Sequence, residues 1–173
     1  MIGGVEILIQ FIFTAILIFL FLYFMLIFHE SGHAFFAIIF TNHEVKIRLG
    51  GYSDKKIFKI GRLIVCLNGF NPWYGTVQWN TESLSNIKRV FIYLGGTLFT
   101  ISLSFVLWWL MKSNIFLYLS NYILKFMFIS SVWQFIITMA PIKYTRLWDA
   151  YEGMNSDGLN ILNILFKEKI NIN

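Results

Sequence analysis

ILIQFIFTAILIFLFLYFMLIFHESGHAFFAIIF, residues Ile7–Phe40, is the stretch on which the reading of this chain turns. Its first 22 residues, Ile7 to Phe28, contain no charged side chain. A helix rises about 1.5 Å per residue and a bilayer core needs about 20 apolar residues, so this run is long enough to span. The polar cluster His29-Glu30-Ser31-Gly32-His33 interrupts it, and apolar character resumes from Ala34 to Phe40. The pattern predicts one long helix carrying the cluster near its C-terminal end.

The rest of the composition agrees with a membrane environment. The 173 residues are 57% hydrophobic and 13% charged, against about 45–50% and about 25% in an ordinary soluble domain. One domain is expected at this length. The single cysteine, Cys66, cannot form an internal disulfide and reads as a small buried hydrophobe. The net charge of +5 is explained by basic residues on one side of a membrane rather than by nucleic acid. The N-terminus lacks a basic leader and a small-residue cleavage site, so the first run reads as a retained span.

Two further runs follow. Val90 to Met111 is 22 uncharged residues, and Ile115 to Ala140 is 26 residues with Lys125 as its one charge. The short polar link Lys112-Ser113-Asn114 predicts an antiparallel hairpin of the two spans. Pro141 should end the third, because proline has no amide donor and clashes with the preceding turn. Lys125 reads as snorkelling to the outer interface. Between the first two spans, Val45–Leu49, Ile57–Ile60, Leu63–Leu67 and Thr76–Trp79 read as strands, punctuated by Gly50-Gly51, Asn68-Gly69 and Asn71-Pro72. They predict a small antiparallel sheet at the membrane surface. A short amphipathic helix should run from Asp157 to about Lys169, started by the Asn155–Gly158 turn. The expected fold is therefore three transmembrane helices (about 7–40, 90–111 and 115–140), a surface β region over about 45–79, and a C-terminal segment 141–173 ending in a helix.

Basic residues give an expected orientation in the cell membrane. Residues 41–89 and the segment after Pro141 carry most of the lysines and arginines, and the N-terminus carries none. Both basic regions should be cytoplasmic and the N-terminus outside.

The cluster carries the chemistry. His29 and His33 lie four apart, so both imidazoles project from one face of a helix. Two neutral imidazoles can share one zinc ion. Glu30 can reach a water at that ion without being a ligand and accept its proton, which is the division of labour in HExxH peptidases. An ionisable residue inside a membrane helix costs roughly 2.5–3.5 kcal/mol or more. A metal ion in a water-filled pocket offsets that cost. A catalytic zinc also needs a third protein ligand and an open position. His43, the one other histidine, lies just past the helix end and reads as a surface residue. A carboxylate remains, with Asp149, Glu152 and Asp157 as candidates.

FHESGHAFFA (Phe28–Ala37), the later Leu94-Gly95-Gly96-Thr97, and Pro141 followed by Asp157-Gly158 resemble, in order, the three motifs of the site-2 protease family of intramembrane zinc metalloproteases. The first motif is the specific one, and the similarity extends over most of the chain, from about Phe11 to Leu165. The resemblance implies that Leu94–Thr97 forms a glycine-rich turn within the second span; Gly95 and Gly96 also read as small residues that let transmembrane helices approach closely. It implies that Asp157 completes the zinc site, with Asp149 as the fallback. It also implies that the extended segment holds an unwound membrane protein or peptide substrate as an added strand. The expected activity is hydrolysis of a peptide bond with Glu30 as base. A non-catalytic membrane metal protein, a sensor or chaperone, is the alternative, and Glu30 argues against it because storing a metal does not need that residue. A di-iron hydroxylase would need many more than 3 histidines.

Overall fold

The computed structural model describes residues 2–51, 53–54, 57–82, 84–113, 121–146 and 151–167. Helix α1, Ile2–Phe40, holds the HESGH cluster in unbroken helix. Helices α2, Asn86–Ser113, and α3, Asn121–Met139, follow the sheet, and α4, Asp157–Lys167, closes the described chain. The first three are long and apolar enough to cross a membrane.

Contacts set their directions. Gly32 of α1 faces Gly95 of α2, while Phe21 and Met25 cluster with Leu107, so α1 and α2 run antiparallel. Ser104 Oγ bonds Ser131 Oγ at 2.9 Å and Leu107 packs with Leu124, so α3 runs back along α2. Apolar side chains of α1, such as Ile7, Phe11 and Phe13, face outward. In a membrane they contact lipid.

The helix limits differ from the hydropathic runs. α2 begins at Asn86, not Val90, and includes Lys88 and Arg89. Charge limits what lipid accepts, whereas lysine and arginine are good helix formers. The same helix continues through Ser113, so two of the three residues expected to link the spans are helical. α3 ends at Met139, two residues before Pro141, as residues ahead of a proline tend to leave the helical region. The parts of the expected third span at 115–120, and of the last helix beyond Lys167, lie outside the described residues. Lys125 is exposed, with Nζ 6.0 Å from the Tyr122 ring centre.

The strands are β1 Val45–Leu49, β2 Ile57–Ile60, β3 Leu63–Leu67 and β4 Gly75–Gln78, the last starting one residue earlier than the pattern suggested. Their order is β2-β3-β1-β4. β1 pairs parallel with β3 and antiparallel with β4, so the sheet is mixed and the expectation of an all-antiparallel sheet is corrected. The reason is burial. β2 is exposed at every position, whereas β3 (LIVCL) is half-buried or buried throughout. β3 takes the inner place, and the tight turn at Gly61 (φ 58°) makes β2 run antiparallel to it at the edge. The connection 50–62 is long enough for the parallel pairing of β1 and β3, which needs about a dozen residues.

β1 positions the sheet. Val45, Ile47 and Leu49 are buried against Leu26, Ala34 and Ala37 of α1 and Ile92 of α2. On the opposite face, Lys46 and Arg48 bond Asp54 at 2.9 and 2.7 Å. These partners hold the Asp54 carboxyl well below its ordinary range. Arg62 donates to the carbonyls of Ile38 and Thr41 and so caps the end of α1. Cys66 is fully buried.

Candidate metal centre

His29 and His33 project from α1 toward α2 and are 4% and 5% exposed. Their Nδ1 atoms are each engaged by α2. His33 Nδ1 lies 2.8 Å from the Ile92 carbonyl, which can only accept, so Nδ1 carries the proton. The amide of Gly96 also approaches this nitrogen, at 3.3 Å. The shorter contact decides, since that amide belongs to the helical ladder of α2. His29 Nδ1 lies 2.9 Å from Thr100 Oγ1. That hydroxyl donates to the Gly96 carbonyl at 3.0 Å, so it accepts the Nδ1 proton of His29. Both rings then turn bare Nε2 atoms to one point, as in metal sites where the second nitrogen fixes the tautomer.

Three glycines allow this approach. A Cβ on Gly32 or Gly95 would run into the other helix's carbonyl, and a Cβ on Gly96 would run into the His33 ring. Leu94–Thr97 is continuous helix within α2, so the glycine-rich turn implied by the family resemblance is corrected. These glycines serve close helix packing and leave room for an imidazole.

Asp157 arrives from α4. Its Oδ2 lies 3.3 Å from each Nε2, and the two Nε2 atoms are 3.1 Å apart. A tetrahedral ion with bonds of about 2.0–2.1 Å has ligand atoms about 3.3–3.4 Å apart, so this triangle matches one face of such a site. Among the described residues, this is the group of histidine and acidic side chains that can hold a metal ion.

Ser156 explains how α4 starts at the right place. Its Oγ accepts from the Leu159 amide at 3.1 Å, an N-cap bond, and donates to the Ala140 carbonyl at 2.5 Å. A Cβ on Gly158 would strike the Met139 backbone. The start of α4 is thus seated on the end of α3. The intervening loop closes on itself through Tyr144 N to Met154 O and Gly153 N to Tyr144 O, both 2.9 Å. Its length does not move Asp157 away. Glu152 is exposed on that loop, its carboxylate 3.9 Å from Arg146, and does not reach the histidines. Asp149 lies outside the described residues. His43 is exposed past the end of α1.

Glu30, 6% exposed, lines the same cavity of about 1310 Å³ as the two histidines and Asp157. Gly75 at the start of β4 lies directly against it: a Cβ there would stand 2.8 Å from Glu30 Oε1. β4 is an outer strand of the sheet. The Gly50 amide donates to the Tyr74 carbonyl, and in an antiparallel ladder bonded and non-bonded pairs alternate. Leu49 and Gly75 are therefore a non-bonded pair, and the amide and carbonyl of Gly75 face the open edge. Tyr151 meets them there. Its hydroxyl accepts from the Gly75 amide and donates to the Gly75 carbonyl, both at 2.8 Å. Burial pushes the Tyr151 phenol well up, and the Tyr144 phenol up to about 12, so both are neutral near pH 7.

Of the residues singled out by sequence, His29, His33, Asp157 and Glu30 meet at one cavity. Thr100, the Ile92 carbonyl, Gly75 and Tyr151 did not stand out. Ser156 carried a signal, as a serine ahead of a helical pattern, whereas the others acquire a role only through contacts distant in sequence. Compared with protein-family models, curated proteins and solved structures, the chain matches none.

Proposed function

We propose that this chain is an intramembrane zinc metalloendopeptidase of the site-2 protease kind, which hydrolyses a peptide bond in a membrane protein or peptide. The observation that carries the reading is the His29–His33–Asp157 triangle with Glu30 on the same cavity, beside the outer strand β4. A pair of neutral imidazoles and one carboxylate is a donor set that suits zinc and leaves a position open. The ion would supply Lewis acidity, lowering the pKa of water and polarising a carbonyl.

The chain's own groups do the rest. Ile92 and Thr100 hold the imidazoles neutral and aimed. Glu30 takes a proton from water as its oxygen bonds to the scissile carbonyl carbon. It returns that proton to the nitrogen as the C–N bond breaks, so no co-reactant besides water is consumed. The substrate must be unwound first, because a helix hides its amides in its own ladder. The edge of β4 offers an unwound segment backbone pairing beside Glu30. In this reading α1, α2 and α3 cross the cell membrane, with residues 41–89 and the C-terminal segment on the cytoplasmic side, where basic residues are favoured.

The test compares the unmutated protein with Glu30→Gln, both purified in detergent. Each should contain one zinc per chain, and mass spectrometry should find cut membrane peptides with the unmutated protein alone. Equal cutting by both would remove Glu30 as the base. Zinc in both with cutting by neither would favour a non-catalytic metal protein.

A further inference from the structure

Tyr151 does to Gly75 what a neighbouring strand would do. A residue paired with Gly75 in an added strand would donate an amide to the Gly75 carbonyl and accept from the Gly75 amide. One phenol oxygen makes both bonds at 2.8 Å. The contact spans 76 positions in sequence, so no local turn imposes it. The ring is held between those of Tyr74 and Tyr144, with centroids 5.6 and 5.5 Å away. Gly75 also lies against Glu30. The same alternation turns the amide and carbonyl of Val77 to the open edge two residues further on.

We infer that Tyr151 is a latch on the substrate-binding edge: its hydroxyl holds the backbone position at Gly75 that an incoming extended peptide must take to lie beside Glu30. Peptide and phenol exclude one another there, because each outward amide and carbonyl is already bonded. The tyrosine therefore sets how readily a peptide enters, and it favours segments able to pair at both Gly75 and Val77. A helical segment, with its amides engaged internally, has nothing to offer in exchange. This assignment rests on the peptidase reading for its biological meaning. The competition at the edge can be measured without catalysis.

The experiment uses the full chain carrying Glu30→Gln, with and without Tyr151→Phe, which removes the hydroxyl and keeps the ring. The probe is the peptide acetyl-Val-Thr-Val-Thr-Val-Thr-amide, and a copy N-methylated at every residue, unable to donate along either edge, is the control. Binding is read from slowed exchange of the Val77 amide. Loss of the phenol should tighten probe binding about tenfold, roughly the worth of one or two hydrogen bonds, and leave the control unbound. Unchanged or weaker binding by a Tyr151→Phe protein that melts like its parent would overturn the latch. If that variant does not fold, isotope-labelled tyrosine in the unmutated chain decides. The probe must shift the Tyr151 ring resonance as it protects Val77, and protection with an unmoved ring would also overturn it. Tighter binding in the variant, with no peptide cut by the unmutated protein, would sink the peptidase and keep the latch. Cutting without any change in binding would do the reverse.

Discussion

Thr100 is a small side chain with a large consequence. Its hydroxyl donates along α2 to the Gly96 carbonyl and can therefore only accept from His29. That fixes which imidazole nitrogen is bare. Replacement by valine keeps the shape and removes the acceptor, so His29 loses its preferred tautomer. Outer-shell partners of this kind typically change metal affinity by about 10–100-fold. Thr100→Val should weaken zinc binding within that range, as read by competition with a chromogenic chelator. Equal affinity would mean that packing alone orients the ring. His33 offers no comparable substitution, since its partner is a backbone carbonyl.

At the scale of elements, α4 supplies Asp157, and its start is determined by contacts with the end of α3. Ser156 bonds the Leu159 amide, the Ala140 carbonyl and the Ile142 amide. Alanine there removes an N-cap, at a cost of about 1 kcal/mol. It also frees the residue next to Asp157. Ser156→Ala should lower the melting temperature in detergent and reduce zinc affinity together. A lower melting temperature with unaltered zinc affinity would show that α4 is seated by Gly158 and its apolar face instead. Ile161 and Ile164 of that face are buried, so the helix should stay docked.

For the molecule as a whole, the His29–His33–Asp157 triangle brings the two ends of the described chain together, α1 to α4. A ligand that binds only the folded state stabilises it by about 4 kcal/mol when its free concentration is 1,000 times its dissociation constant. Removing zinc with a chelator should lower the melting temperature and speed amide exchange in α4 before α1, because α1 is otherwise held by α2 and the sheet. Restored zinc should reverse both effects. Exchange in α4 that ignores the chelator would count against a metal shared between the two helices.

Much of this was legible locally. Uncharged runs marked α1, α2 and α3, because a helix long enough to span lipid must be apolar along its length. Four short β-rich pieces fell within a residue of the observed strands. The spacing of His29 and His33 already put both on one helix face. What no local pattern contains is which distant groups meet. Parallel pairing of β1 with β3 depended on the burial of β3 against β2. The glycines at 95 and 96 resembled a family turn and also read as small residues for close helix approach, and the opposing Gly32 and the His33 ring showed that the packing role holds. Sequence therefore determined which segments are helix and strand and which face holds the imidazoles, since those follow from periodicity over neighbouring residues. The family resemblance already pointed to Asp157, but tertiary structure alone brings it to the two imidazoles while Glu152 stays on the surface, and places Tyr151 on the edge beside Glu30. Such choices are made by packing between elements far apart in the chain, where a few ångströms separate a ligand from a surface charge.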